Sequence, residues 1–203
     1  MSRPQLWVIS GPNGAGKTTL TRHHFADRIP VVNPDDIAVE LNPDHRGETT
    51  VLLQAGRVAL ARRQKHLEAG ESFAVETTLT GKGELALIRR AVDKGYKINL
   101  IFIGISSAQV SAGRVAERVR RGGHAVPLDD IFRRFDRSLD NLSSALAMAD
   151  RAMILDNSSA RRRLLLSIED GRVKHAAKTL PDWAKTAVPA GLQQVKTKTH
   201  RVR

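Results

Sequence analysis

Gly11-Pro-Asn-Gly-Ala-Gly-Lys17-Thr18 follows directly on the apolar run Leu6 to Ile9 and precedes a stretch able to form a helix. The segment fits the phosphate-binding pattern GxxxxGK[ST], and its place between a strand and a helix is what gives the pattern meaning. Glycines at 11, 14 and 16 let the chain curl through positive φ, so that successive backbone N–H groups and the next helix N-terminus face an anion. Lys17 is the mobile positive charge for β- and γ-phosphates, and the Thr18 hydroxyl is placed to hold a bridging Mg²⁺. The phosphate-binding set is therefore Gly11, Pro12, Asn13, Gly14, Ala15, Gly16, Lys17, Thr18 and Thr19, with ATP and Mg²⁺ as the expected cofactors.

Outward from this loop, short apolar runs alternate with longer helical patterns. Leu6 to Ser10, Val31 to Asn33, Ser72 to Glu76, Ile98 to Ile105 and Ala152 to Asp156 read as strands. Helices are expected over 17–27, 48–69, 84–94, 108–121 and from about Leu128, and Gly70 and Gly95 end two of them. Leu52, Ala55, Ala59 and Leu60 give the second helix an apolar face, and Ile131, Phe135, Leu139, Leu142 and Leu146 give the last a core stripe. Leu164 to Ile168 and Arg172 to Lys174 flank the turn Glu169-Asp-Gly171 as a hairpin trimming the sheet edge. The expected class is α/β: a P-loop NTPase three-layer sandwich with a central, mostly parallel sheet and a helical, arginine-bearing lid at about 108–137. A kinase domain over 1–180 and a basic tail over 181–203 complete the expected organisation.

Composition narrows the function. The 203 residues suit one domain, and the absence of cysteine rules out disulfides, Fe–S clusters and thiolate zinc sites. The first strand begins too near Met1 to leave room for a signal peptide, and no apolar run approaches the ~20 residues that span a bilayer. A cytoplasmic protein without membrane insertion is expected. Net charge is +12, and Lys185, Lys196, Lys198, Arg201 and Arg203 contribute with no acid after Trp183. Such a tail reads as solvated rather than as a nucleic-acid arm, and five Phe, two Trp and one Tyr are too few for base stacking as the main grip.

Carboxylates and arginines complete the chemistry. Asp35 and Asp36 follow the second strand at the strand-end edge where open α/β sheets bind ligands, and phosphoryl transfer to a hydroxyl needs an aspartate of this kind as base. Both acids also suit the cap and first turn of a helix opening at Asn33-Pro34. Glu76 and Thr77 end the third strand, where an acid organises metal or holds substrate. Arg114, Arg118 and Arg121 recur at i, i+4 and i+7, with Arg118 and Arg121 the first choices for phosphate charge. Gly122 and Gly123 form a hinge beside His124, a phosphate or substrate contact.

Gly11-Pro-Asn-Gly-Ala-Gly-Lys-Thr-Thr, Val32-Asn-Pro-Asp-Asp, Ser72-Phe-Ala-Val-Glu-Thr-Thr-Leu-Thr-Gly, Arg114-Val-Ala-Glu-Arg-Val-Arg-Arg-Gly-Gly-His-Ala-Val-Pro and Ile154-Leu-Asp-Asn-Ser, in this order, resemble the zeta-toxin family of P-loop kinases over residues 6 to about 158. The resemblance implies an ATP- and Mg²⁺-dependent kinase whose leading acceptor is the 3′-hydroxyl of UDP-N-acetylglucosamine, a sugar nucleotide. It implies Asp35 as base, Glu76 as acidic substrate contact beside Asp36 and Thr77, and Arg118 as a lid arginine. A second lid arginine of the toxic members has no clean counterpart: His124 falls near its place, with Arg121, Arg133 and Arg134 as candidate substitutes, a departure from the toxic pattern. An antitoxin blocking the nucleotide site is the partner that toxic members imply. A nucleoside or polynucleotide kinase and a nucleotide-switched binding module are the alternatives.

Overall fold

The computed structural model describes residues 3–44, 48–123 and 125–195. Seven strands form one sheet in the order β2-β3-β1-β4-β5-β6-β7. They are β1 (Gln5–Ser10), β2 (Val31–Val32), β3 (Phe73–Thr77), β4 (Lys97–Gly104), β5 (Arg151–Asp156), β6 (Arg163–Glu169) and β7 (Arg172–Ala176). The first five run parallel; β6 and β7 join as an antiparallel hairpin. Helices α1 (Lys17–His24), α2 (Pro34–Leu41), α3 (Thr49–Ala69), α4 (Lys82–Asp93), α5 (Ala108–Arg120), α6 (Leu128–Met148) and α7 (Asp182–Ala187) provide the crossovers and the outer layers. This is a P-loop NTPase-like three-layer sandwich.

Both faces of β1 and β4 are mostly buried, as their nearly continuous apolar runs require. One face packs Leu6, Val8, Ile98, Leu100 and Phe102 with α3, α4, α6 and α7, and the other packs Ile9, Ile101 and Ile103 with Leu20 and Phe25 of the α1 region. On α6, Ile131, Phe135, Leu142 and Leu146 are buried at the expected spacing, with Leu139 packed beside them. α3 turns differently: its buried line is Ala55, Ala59, Arg63 and Leu67, strictly four apart, and Leu60 faces solvent about 100° away.

The hairpin does more than trim an edge. Asp170 and Gly171 take positive φ in its tight turn, and Leu165, Leu166 and Ile168 bring core side chains from β6. The boundary expected at residue 180 falls inside the packed body, because α7 buries Trp183, Ala184 and Ala187 and the following Val188 in the same core. Residues 196–203, with four of the five tail cations, lie outside the described residues.

Trp183 seats its indole against Gly104, where an added Cβ would overlap the ring, and donates its Nε1–H to Asp156 at 3.3 Å. Gly104→Ala is therefore expected to cost about 1–3 kcal/mol by overpacking, lowering Tm by about 3 °C or more. Gly113→Ala, on open helix surface, is the control. Thermal unfolding of the two variants checks the difference, and equal Tm values would show that Trp183 moves aside without cost.

Candidate active site

Parallel register brings the strand ends to one edge: Ser10 lies beside Thr77 and Phe102, and Gly104 beside Asp156. The segments leaving this edge build the site. Gly11 follows β1 at φ +139°, with its Cα so close to the Ile103 carbonyl that any Cβ would collide, and Gly16 caps α1 at φ +92°. Three side chains brace the loop. Ser111 Oγ donates to the Asn13 carbonyl at 2.6 Å, Asn157 Nδ2 to the Ala15 carbonyl at 2.9 Å, and Arg114 Nη1 to the Gly14 carbonyl at 3.4 Å. Asn157 thus clamps the phosphate loop, while Asp156 closes the sheet end by accepting from Trp183, Ser158 and Arg163.

Lys17 is buried, and its Nζ donates to the carbonyls of Gly11 at 2.8 Å and Pro12 at 2.9 Å. An ammonium has three donors, so one remains for an anion in the loop. The Thr18 hydroxyl donates to Glu76 Oε1 at 2.6 Å. Thr21 Oγ1 lies near the same carboxylate but donates to the Lys17 carbonyl at 3.0 Å, so Glu76 Oε2 is buried without a hydrogen bond. Burial raises the Glu76 pKa, opposed by the Lys17 charge and the Thr18 hydrogen bond. Thr18 and the orphaned Glu76 oxygen are hard oxygen donors next to a phosphate loop. They fit Mg²⁺, which takes one or two protein oxygens and completes its shell with phosphates and water.

The loop opens into a cleft of about 400 Å³. Asn13, Gly14, Gly16, Lys17, Thr18 and Thr19 line it on one side, with Asn33, Asp35, Glu76, Thr77 and Thr78 from the other strand ends. Arg114, Arg118 and Val126 lie on the α5 side and Arg134 on α6. A broader groove of about 1060 Å³ shares Thr18, Thr19, Asn33, Asp35 and Arg118 with the cleft and reaches Asp36, Gly122 and Gly123. Asn33 Oδ1 caps α2 by accepting from the Asp35 backbone N–H at 3.1 Å, which leaves the exposed Asp35 carboxylate at the cleft wall. Asp36 instead accepts from Asn33 Nδ2 and pairs with Arg22 at 3.5 Å.

Several expected contacts lie elsewhere. Arg121 follows the last residue of α5, is 78% exposed and pairs with Glu117, so it leaves the arginine row and the cleft. Arg133 pairs with Asp130 on the outer face of α6, whereas Arg134, one residue on, reaches the cleft while donating to the same partner at 3.1 Å. Thr77 lines the cleft, but its hydroxyl donates to Glu84 and accepts from the Leu79 N–H, so it shapes the wall. That turn is tight enough to hold Leu79 at φ +58°. His124 lies outside the described residues. Sequence reading missed Arg63 and Glu84 as cleft residues and assigned Arg114 no part in bracing the loop. An arginine on the buried four-residue line of α3 was the available signal for Arg63.

Burial lowers the Lys17 pKa to about 8, against the raising effect of Glu76 and Asp35 and with help from Arg118 and Arg134. The unfolded chain therefore binds more protons than the folded one between pH 8 and 10.5, and the unliganded protein gains stability as pH rises through that window. Anion binding runs oppositely, since a polyphosphate favours the ammonium. Nucleotide affinity is expected to be flat below about pH 8 and to fall by up to about tenfold per unit above it. Calorimetry in buffers of different ionisation enthalpy checks this: proton uptake on nucleotide binding should appear above about pH 8, and its absence there would contradict the Lys17 linkage.

A family model described as an AAA domain, AAA_33, matches residues 6–142. An uncharacterized protein of Haemophilus influenzae is 30% identical over 143 residues, 66% of this chain and 100% of its own. Among solved structures, one from the PezAT chromosomal toxin-antitoxin system of Streptococcus pneumoniae is 21% identical, covering 80% of this chain and 72% of its own, at a TM-score of 0.60. A chain of AvrRxo1-ORF1:-ORF2 with ATP is 17% identical, covering 85% of this chain, at a TM-score of 0.67. This chain spans 60% of that relative's length. A putative kinase from Chloroflexus aurantiacus matches at 18% identity over 64% of this chain and 79% of its own, with a TM-score of 0.51. These likenesses concern the fold, which is P-loop NTPase-like.

Proposed function

The chain belongs to the AAA_33 family of AAA domains, and from that membership we propose that it is an ATP- and Mg²⁺-dependent kinase of the zeta-toxin kind, transferring the γ-phosphate to an alcohol. The observation that carries this reading is the meeting of Lys17, Thr18 and Glu76 with the Asp35 carboxylate and two arginines, Arg118 and Arg134, around one cleft. A switch that only binds nucleotide has no use for a free carboxylate opposite the phosphate loop; a transferase has.

The loop N–H groups and the α1 N-terminus hold the β- and γ-phosphates, and Lys17 shifts its third donor to them. Thr18 and Glu76 would hold Mg²⁺, which would supply charge neutralisation to the phosphate groups. Asp35 orients the acceptor hydroxyl and takes its proton as the acceptor oxygen bonds to the γ-phosphorus. The bond to the β–γ bridging oxygen breaks and its electron pair leaves with ADP. Arg118 and Arg134 stabilise the charge spread over the transferring group.

Within this reading the leading acceptor is the 3′-hydroxyl of UDP-N-acetylglucosamine, on the strength of the zeta-toxin resemblance. Since PezAT is named as a toxin-antitoxin system, a protein partner belongs to the same reading, and the cleft is the surface it would cover. Incubating the protein with ATP, Mg²⁺ and UDP-N-acetylglucosamine tests the acceptor by mass spectrometry. A gain of one phosphate on the sugar nucleotide is expected; ATP consumption with a different alcohol phosphorylated would reassign the acceptor and keep the kinase.

A further inference from the structure

Arg63 sits on the buried line of α3 between Ala59 and Leu67, where the other members are apolar, and it is only 8% exposed. Among the described residues its guanidinium makes no hydrogen bond and has no carboxylate within ion-pair distance, and its Nε is buried without a partner. The nearest compensating charge is Glu84, and burial lowers the arginine's pKa against it. Glu84 is already committed: one carboxylate oxygen accepts from Thr77 Oγ1 at 3.2 Å and the other from the Gly81 N–H at 3.0 Å, fixing the start of α4. Arg63 nevertheless lines the cleft, with Asp35, Thr77 and Thr78.

An uncompensated buried guanidinium works against folding, and apolar replacements of similar volume often stabilise such sites. A fold that places one at a polar cleft, rather than against an internal acid, leaves the donors of its two terminal nitrogens for a ligand. Its position fixes which ligand. α3 packs against β2 and α2, on the Asp35 side of the sheet order and two strands from the phosphate loop's own β1. The loop, Lys17 and the α1 N-terminus already provide for the polyphosphate. What remains for Arg63 is the acceptor.

We propose that Arg63 forms an anion subsite for the acceptor, so that the molecule phosphorylated is a hydroxy compound bearing a phosphate or carboxylate, held in a forked hydrogen bond by this guanidinium. This rests on the kinase reading of the cleft and narrows it: a sugar nucleotide qualifies through its diphosphate, and a neutral sugar does not. Arg63→Met keeps the length and apolar stem of the side chain.

The test uses the full chain with its phosphate loop filled by a non-hydrolysable ATP analogue and Mg²⁺, titrated with inorganic phosphate in a calorimeter. Wild type is expected to bind phosphate, and Arg63→Met to bind it about tenfold more weakly or worse, with the analogue's own affinity unchanged. Thermal unfolding without ligand confirms that the variant folds, and Arg63→Lys, which keeps the charge but not the fork, should recover part of the binding. A parallel turnover assay compares glycerol 3-phosphate with glycerol. Equal phosphate binding by wild type and Arg63→Met, or turnover of the neutral and anionic alcohols that is measurable and equal in both proteins, overturns the subsite while leaving the kinase standing. Phosphate binding that depends on Arg63, with no phosphate transferred to either glycerol compound or to UDP-N-acetylglucosamine in the same assay, upholds the anion site and counts against the kinase instead.

Discussion

Asp35→Asn is expected to lower phosphoryl transfer by about 10²–10⁴-fold, the usual worth of a positioned general base, while ATP affinity stays within about twofold. The separation follows from the local structure. Asp35 enters the fold through its backbone N–H, which Asn33 caps, and an asparagine keeps that bond and the start of α2. The side chain itself has one assignment, the acceptor proton, and the amide cannot take it. The phosphate loop is braced by hydrogen bonds from Ser111, Arg114 and Asn157, not from Asp35, so nucleotide binding should change only through the loss of the Asp35 charge near Lys17. Steady-state transfer and calorimetric ATP binding on the same preparation check the pair of values. Full transfer by the variant would leave the base unassigned.

Lys17→Ala should remove ATP binding and transfer together. The lysine is the charge that meets the β- and γ-phosphates, so its loss is felt in the ground state and more strongly in the transition state, and both affinity and kcat should fall by about 10²-fold or more. The unliganded variant should be no less stable than wild type at pH 7. Burial of this ammonium works against folding, as its pKa of about 8 shows, while the two carbonyl bonds and the nearby carboxylates offset part of that cost. A variant that bound ATP normally would place the phosphates elsewhere than in this loop.

Much of the site was legible because its parts are local. A phosphate loop is one continuous segment whose glycines have conformational reasons, and Asp35 and Glu76 are found by asking which acids end strands. What escaped the sequence is what depends on the third dimension. Arg121 shares a helical row with Arg114 and Arg118, but the helix stops at Arg120 and Glu117 draws the side chain aside. Trp183 falls in a stretch assigned to the basic tail, and the seat at Gly104, with Asp156 for its indole N–H, makes it core. Arg63 was hidden by choosing Leu60 for the buried face of α3; alanines at 55 and 59 with Leu67 define a line that Arg63 completes.

Transfer itself is the central claim, and a single-turnover reaction measures it most directly. Wild-type protein in excess over γ-labelled ATP, with Mg²⁺ and an acceptor pool that includes UDP-N-acetylglucosamine, should move the label into a phosphate monoester, and Asp35→Asn should not. Label recovered only as inorganic phosphate, or retained in ATP that calorimetry shows to be bound, would contradict the kinase and leave a nucleotide-binding module.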